Sequence, residues 1–317
     1  MRTLAFWMAA GVWAVTAWAA APADKLRLQL NWLPEPEFGG IYAAREGGHF
    51  AAHGLEVEIL KGGPDVPAVQ MAAAGRVELA VAAADEVVAL RAKGAKVVAV
   101  FATYQTSPQA LMVRADRRVN SIPELLAAGG TLIAQPGLAY LKWLRRQYGL
   151  GSTRVVPYGS GAMAQFLDPR QRDVAMQCFV FAEPLAVRRQ GVEPRVLLIA
   201  DTGFDPYAAV IVTREEFLTR RRDTVVRFVA ALRAGWQAYL ADPAPTNRVM
   251  AALNTAMDLE TFAEAAEVQR PLLESETTRA HGLGAMSEER WRTLAAQLRS
   301  LGVIEGEVDP RSCFVNL

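Results

Sequence analysis

Residues 26–44, Leu26-Arg27-Leu28-Gln29-Leu30-Asn31-Trp32-Leu33-Pro34-Glu35-Pro36-Glu37-Phe38-Gly39-Gly40-Ile41-Tyr42-Ala43-Ala44, pass from one backbone period to another. Leu26, Leu28 and Leu30 alternate with Arg27 and Gln29, the period of a half-buried strand that ends at Asn31. Pro34 and Pro36 bar a helix before position 37, because each fixes φ and restricts the residue ahead of it. Gly39 and Gly40 permit close approach of a backbone or a ligand, and a helical pattern begins at Ile41. The turn thus crowds aromatic, amide and carboxylate groups where backbone N–H groups lack partners, the composition of a ligand site. A planar ligand could stack on Trp32 or Phe38; the competing reading makes either ring a core plug under the turn.

Working outward, the first residues set a compartment. Arg2, the apolar run Leu4 to Val15, and the small-residue sites Ala17-Trp18-Ala19 and Ala19-Ala20-Ala21 read as a secretory signal peptide over residues 1–21. The run is too short for a membrane span, and no cysteine lies beside it to take a lipid anchor. The expected location is the periplasm. The formal charge of +1 over the whole chain becomes zero without Arg2, so no basic surface is offered to nucleic acid or acidic lipid. Two cysteines, Cys178 and Cys313, allow a disulfide in an oxidising compartment, though sequence alone does not assign one. Cys178 otherwise reads as a small buried hydrophobe in the run from Val174 to Val180.

Strand-like segments at 55–60, 79–83, 97–101, 131–134, 154–156, 173–176 and 196–200 alternate with helical patterns at about 41–52, 65–75, 85–93, 121–128, 137–148, 161–167 and 182–191. That alternation predicts an α/β fold of parallel-rich sheets flanked by helices. Ser121-Ile122-Pro123-Glu124 has the form of a capping box. Polar, turn-rich stretches near 103–110 and 201–207 each lead into an apolar strand, with about ninety residues of α/β pattern between them. They predict two crossings between two lobes: residues 22–105 with 206–317 as lobe one, and 106–205 as lobe two. Beyond 214 the pattern is helical at 215–240, 247–253, 259–270 and 288–301.

Ligands of open α/β sheets bind at the carboxyl ends of strands, so those ends nominate the site. They give Asn31 and Trp32, with Phe38, Gly39 and Tyr42 just after; Asp85 at the next strand end; Tyr104; Gln135 and Gly137; Phe179 and Glu183; and Tyr207 at the return crossing. Asp85 also reads as a helix N-cap, and Glu183, ahead of Pro184, as a carboxylate that favours a helix start. Catalytic machinery is poorly represented. His49, His53 and His281 share no strand end with a nucleophile, no Cys/His cluster has metal-ligand spacing, and there is no Gly-x-Ser-x-Gly or phosphate-binding loop beyond the weak Gly159-Ser160-Gly161. No cofactor or metal is expected.

Leu30-Asn31-Trp32-Leu33-Pro34, Gly39-Gly40-Ile41-Tyr42-Ala43-Ala44 and His53-Gly54-Leu55-Glu56-Val57-Glu58 together resemble the NMT1/THI5-like family, as do Ala73 to Glu78 and Asp201 to Tyr207 further along. The resemblance implies a two-lobe binding component of an ABC importer, monomeric, with a small-molecule ligand and an inner-membrane permease as partners. It implies further that Asn31-Trp32 matches the family's pyrimidine-stacking segment and Glu183 its ligand-facing acid. Phe38 stands where thiamine-precursor members carry histidine, and Cys178-Phe179 is all that corresponds to the cysteine-rich run of the eukaryotic pyrimidine synthases. Both departures argue against an enzyme. The leading expectation is a binder of a small planar nitrogen heterocycle, such as a thiamine-pyrimidine precursor or related vitamin. An alkyl-sulfonate, taurine or nitrate binder of the same fold is the alternative, using N–H groups near Gly39, Asp85 and Gly137; a pyrimidine-biosynthesis enzyme comes third.

Overall fold

The computed structural model describes residues 22–317; the signal peptide read at 1–21 lies outside them. Ten strands run through the described residues: β1 Asp24–Gln29, β2 Leu55–Leu60, β3 Leu79–Ala82, β4 Val97–Tyr104, β5 Gln109–Arg114, β6 Gly130–Ala134, β7 Thr153–Pro157, β8 Val174–Phe179, β9 Pro194–Leu198 and β10 Ala208–Arg214. They form two five-stranded sheets, ordered β2-β1-β3-β10-β4 and β7-β6-β8-β5-β9, each flanked by helices. This is a two-lobe α/β architecture with two crossings, from β4 into β5 and from β9 back into β10.

Neither sheet is fully parallel. β10 lies antiparallel between β3 and β4, and β5 lies antiparallel between β8 and β9. Both follow a crossing, so both start at the cleft and run away from it, whereas their neighbours end there. The carboxyl ends of β1, β3, β4, β6 and β8 are therefore gathered between the lobes, where the backbone leaves the sheets and side chains can converge.

Two predicted helices are divided. The pattern over 41–52 is realised as Gly39–Glu46 and His49–Ala52, separated at Gly48, whose φ of 71° no helix interior tolerates. The pattern over 215–240 becomes Glu215–Arg220 and Arg222–Ala241, broken at Arg221, whose φ of −128° and ψ of 37° lie outside the helical region. Ser121 caps its helix as predicted by accepting the N–H of Glu124 (3.3 Å), while the Glu124 carboxylate reaches the N–H of Asn120 rather than that of Ser121 (2.8 Å). The two thiols are free and buried in separate clusters, Cys178 in the second lobe and Cys313 under the helix Glu288–Ser300.

The long helix Arg222–Ala241 crosses Gly39–Glu46 at very short range. A Cβ on Gly40 would meet the Trp236 ring at 2.2 Å, one on Gly39 the Tyr239 ring at 2.2 Å, and one on Gly235 the carbonyl oxygen of Gly40 at 2.3 Å. The glycine pair is therefore a helix-packing device. Phe38, Ile41 and Tyr42 fill the same core, and the Arg45 guanidinium covers the Tyr42 ring at 4.9 Å.

Candidate functional site

The loop after β1 carries the site because its prolines force it to stand off the sheet. Asn31 and Trp32 are half-buried at the strand end, and Pro36–Phe38 form a single 3-10 turn that leads into the helix at Gly39. Glu35 and Glu37 project from this turn. Glu37 is 4% exposed, and among the described residues no hydrogen bond or ion pair reaches its carboxylate. The turn is held from outside: Gln269 Nε2 donates to the Pro36 carbonyl (3.1 Å) and Asn254 Nδ2 to that of Pro34 (3.1 Å).

The second lobe presents Glu183. Its carboxylate accepts the N–H of Phe179 (2.8 Å) and the hydroxyl of Tyr158 (3.3 Å), so it is aimed by β8 and by the loop after β7. Phe179 is half-buried beside it, packed edge-on against Phe181 (5.6 Å between centroids), and Phe181 in turn stacks on Tyr104 of the first lobe (5.4 Å). The lobes are thus in contact at the very point where the acids face one another.

Electrostatically the cluster is frustrated. Burial, then the Glu183 charge, push the Glu35 carboxyl up to about 8, with hydrogen bonds from Trp32 and Asn254 offsetting part of the rise. Burial raises Glu37 well above the usual carboxylate range, and repulsion by Glu35 and Glu183 adds to it. Burial also raises Glu183, against the opposing effect of its hydrogen bonds. None of the three belongs to a salt bridge among the described residues, although arginines are plentiful elsewhere on the surface. Three carboxyl groups from two lobes, with no cationic side chain to pair them, form a cluster suited to hydrogen-bond donors or positive charge.

Asn31, Trp32, Phe179 and Glu183 are brought to this cluster, and the Asn31 Oδ1 atom is buried without a partner among the described residues. Other expected site residues are elsewhere. Phe38 and Tyr42 are both buried, as core plugs; Gly39 packs against Tyr239 and its N–H is taken by the Pro36 carbonyl, so it offers none to an anion. Tyr104 lies behind the cluster, its hydroxyl donating to Gln269 Oε1 (2.6 Å). Tyr207 is a strut of the crossings: its hydroxyl accepts the Ser287 N–H (2.9 Å) and the Arg290 guanidinium covers its ring at 3.9 Å. The Gln135 N–H is already taken by Gln177 Oε1 (2.7 Å), which also accepts the Tyr140 hydroxyl (3.1 Å). Gly137 opens onto a surface groove with Leu141, Lys142 and Arg145. Asp85 is half-buried one residue inside the helix Ala84–Ala92, where Ala83 rather than Asp85 is the cap, and its raised carboxyl is set by burial without any coupling to the three glutamates.

Glu35, Glu37 and Tyr158 were not among the strand-end candidates. The signal for the acids was present in Pro34-Glu35-Pro36-Glu37, where carboxylates alternate with prolines that hold them off a helix. Tyr158 has no comparable signal, since its contact with Glu183 exists only in three dimensions.

A two-lobe α/β protein with its polar groups gathered between the lobes has the architecture of the solute-binding components of ABC importers. The family model described as NMT1/THI5 like matches residues 35–246, and the chain belongs to that family. It is 26% identical over 314 residues to the riboflavin-binding protein RibY of Chloroflexus aurantiacus, covering 94% of this chain and 88% of that one. It is 20% identical over 302 residues to the formylaminopyrimidine-binding protein of Halalkalibacterium halodurans, covering 93% and 90%. In three dimensions it matches the periplasmic aliphatic sulphonate binding protein SsuA of Escherichia coli with a TM-score of 0.68 at 14% identity, over 93% and 94% of the two chains. No helix of the described residues is long and apolar enough to cross a membrane.

Proposed function

We propose that the protein is the periplasmic solute-binding component of an ABC importer, a monomer that captures a small planar nitrogen heterocycle between lobes formed by residues 22–105 with 206–317 and by residues 106–205. Capture and delivery need no chemical step, so the protein acts as a carrier and not as an enzyme. The observation that carries this reading is the convergence of Glu35, Glu37 and Glu183 beside Trp32 with no basic side chain to balance them. Ring and exocyclic N–H groups of a heterocycle would satisfy those acceptors, while the indole of Trp32 offers a face for stacking. The names of the relatives, a riboflavin binder and a formylaminopyrimidine binder, support the same ligand class. A sulfonate or nitrate brings no N–H donor to these acids and meets like charge wherever one of them is ionised, and the resemblance to the sulphonate binder extends to the fold alone.

The direct test is mass spectrometry of small molecules released from the purified, denatured protein. It should be followed by titration calorimetry with riboflavin, an aminopyrimidine and an alkanesulfonate. Glu183→Gln should weaken the heterocycle by about 1.5–3 kcal/mol, the range for hydrogen bonds to charged groups, and leave a sulfonate unaffected or improved. Tight sulfonate binding with no heterocycle binding would overturn the reading.

A further inference from the structure

We propose that the groove along the helix Ala139–Tyr148 is a second ligand site, outside the cleft, for an organic anion whose phosphate or carboxylate group is joined to an apolar body.

Net neutrality conceals a local excess of positive charge. The chain holds 33 acidic residues among 317, yet residues 125–167 contain none and carry Lys142, Arg145, Arg146 and Arg154. The first three of these cations meet along a groove of about 500 Å³ whose floor is Leu138, Leu141, Val155 and Leu301. Those four side chains are half-buried: each packs against the buried core and keeps an outer side open to the groove. Leu138, Leu141, Lys142 and Arg145 recur at helical spacing, so apolar floor and cationic wall are one face of one helix. The far wall is Val155 of β7 with Leu301, which ends the helix Glu288–Ser300 of the other lobe. Arg146 Nη1 donates to the Ser300 carbonyl (2.7 Å) and pins the two walls, so the groove is formed before anything enters it. No Asp or Glu lines it, and Lys142, Arg145 and Arg146 belong to no ion pair among the described residues. Like charges three and four residues apart on a helix repel each other; an anion seated between them turns that repulsion into attraction, and a guanidinium offers paired donors to carboxylate or phosphate. A merely solvated helix face would account for the charges but not for the apolar floor beneath them, which an apolar body would cover. The volume falls within the roughly 300–1,000 Å³ of small-molecule sites, and a flat bilayer would touch the rim of such a groove without reaching its floor. Trp32, Glu35, Glu37, Phe179 and Glu183 are all absent from its lining, so this site is separate from the cluster in the cleft.

Octyl phosphate, inorganic phosphate and 1-octanol separate the contributions of charge and apolar body. Titration calorimetry at low salt, below the micellar range, should show octyl phosphate binding saturably and about ten- to a hundredfold more tightly than either of the other two, since each lacks half of the contacts. Raising NaCl to about 0.5 M should weaken it. Lys142→Gln/Arg145→Gln, at two exposed positions and with folding verified by circular dichroism, should weaken it by about tenfold or more. Arg222→Gln/Arg248→Gln, which removes two exposed cations of the other lobe, should leave it unchanged. Octyl phosphate that binds no more tightly than inorganic phosphate, or as tightly to the Lys142/Arg145 variant as to the parent, would overturn the site. So would sedimentation of the protein with phosphatidylglycerol vesicles in the absence of saturable binding of monomeric octyl phosphate, because the cations would then serve a membrane surface. The substitutions leave the cleft untouched, so failure here leaves the heterocycle reading intact.

Discussion

Trp32 and Glu35 sit three residues apart on one turn, yet substitution should affect them in opposite ways. Trp32 is only half-buried, so Trp32→Ala should keep the melting temperature within a few degrees while weakening the ligand by about 1–3 kcal/mol, the scale of base–aromatic stacking. Large destabilisation with unchanged affinity would show the ring to be structural. Glu35 is a stability liability whose size depends on pH. Its carboxyl titrates near 8 in the fold against an ordinary 4.5, so the folded state binds the proton more tightly. Stability is therefore greatest below about 4.5 and is lost as pH rises from there through about 8. Glu35→Gln should be nearly neutral at pH 5 and stabilising by about 1–2 kcal/mol at pH 8.5, a figure scaled from one pKa unit and discounted for the partial exposure of the group. Thermal melts of both proteins across that range, without ligand, would read the crossover. Legibility at this scale divided by the nature of the contact. Trp32 and Glu183 could be nominated because strand ends and a family pattern mark them. Phe38, Tyr42 and Gly39 share the same local pattern but are claimed by Trp236 and Tyr239 from a helix two hundred residues away, which no local signal records.

Among the elements, the helix Glu183–Arg189 has one end in the site and the other on the opposite lobe. Its first residue is the second-lobe acid; its last residues reach the helix Leu259–Gln269, with Arg188 to Glu264 at 2.9 Å and Arg189 to Glu260 at 2.7 Å and Glu264 at 3.3 Å. These pairs are partly exposed and individually worth little, about 0–1 kcal/mol, but they exist only when the lobes meet. Arg188→Ala/Arg189→Ala should therefore weaken ligand binding by about 1 kcal/mol at low salt, chiefly through faster dissociation, with the deficit vanishing in about 1 M salt where the Debye length is near 3 Å. Stopped-flow dissociation rates at two ionic strengths decide it; a salt-independent deficit would mean that the arginines act by packing. The order of strands and helices was readable from alternation and period. The antiparallel insertion of β5 and β10 was not, because direction within a sheet is set by where the chain re-enters after a crossing, and period-two patterning is the same either way.

At the scale of the whole molecule, opening and closing must be absorbed by the two crossings, and these are fastened to each other. Asp205 on the return crossing accepts the Ser107 N–H of the outgoing one (2.7 Å). Arg290, from the helix Glu288–Ser300, donates to the carbonyl of Gln105 on the first crossing and to that of Asp205 on the second (2.7 Å), pairs with the Asp205 carboxylate (3.1 Å), and lies over Tyr207. A single guanidinium with its donors divided between two backbones keeps the crossings in register, so the lobes are expected to rotate about one axis instead of twisting independently. Ligand should then lower the radius of gyration in solution scattering while far-ultraviolet circular dichroism stays constant; saturation with unchanged scattering would remove the closure mechanism. Arg290→Ala leaves the carboxylates and Trp32 untouched but frees the crossings, widening the distribution of open forms from which closure starts. A broader ensemble loses more conformational entropy on closing, so affinity should fall by about 1–2 kcal/mol, the usual scale for one group holding several hydrogen bonds, with the difference appearing in the association step. Arg290→Lys separates geometry from charge: an ammonium keeps the charge beside Asp205 but does not reproduce the planar fork that spans two carbonyls, so it should behave like alanine. A lysine variant that binds and closes like the parent would show that charge at the hinge, and not the shared fork, sets the path of the lobes.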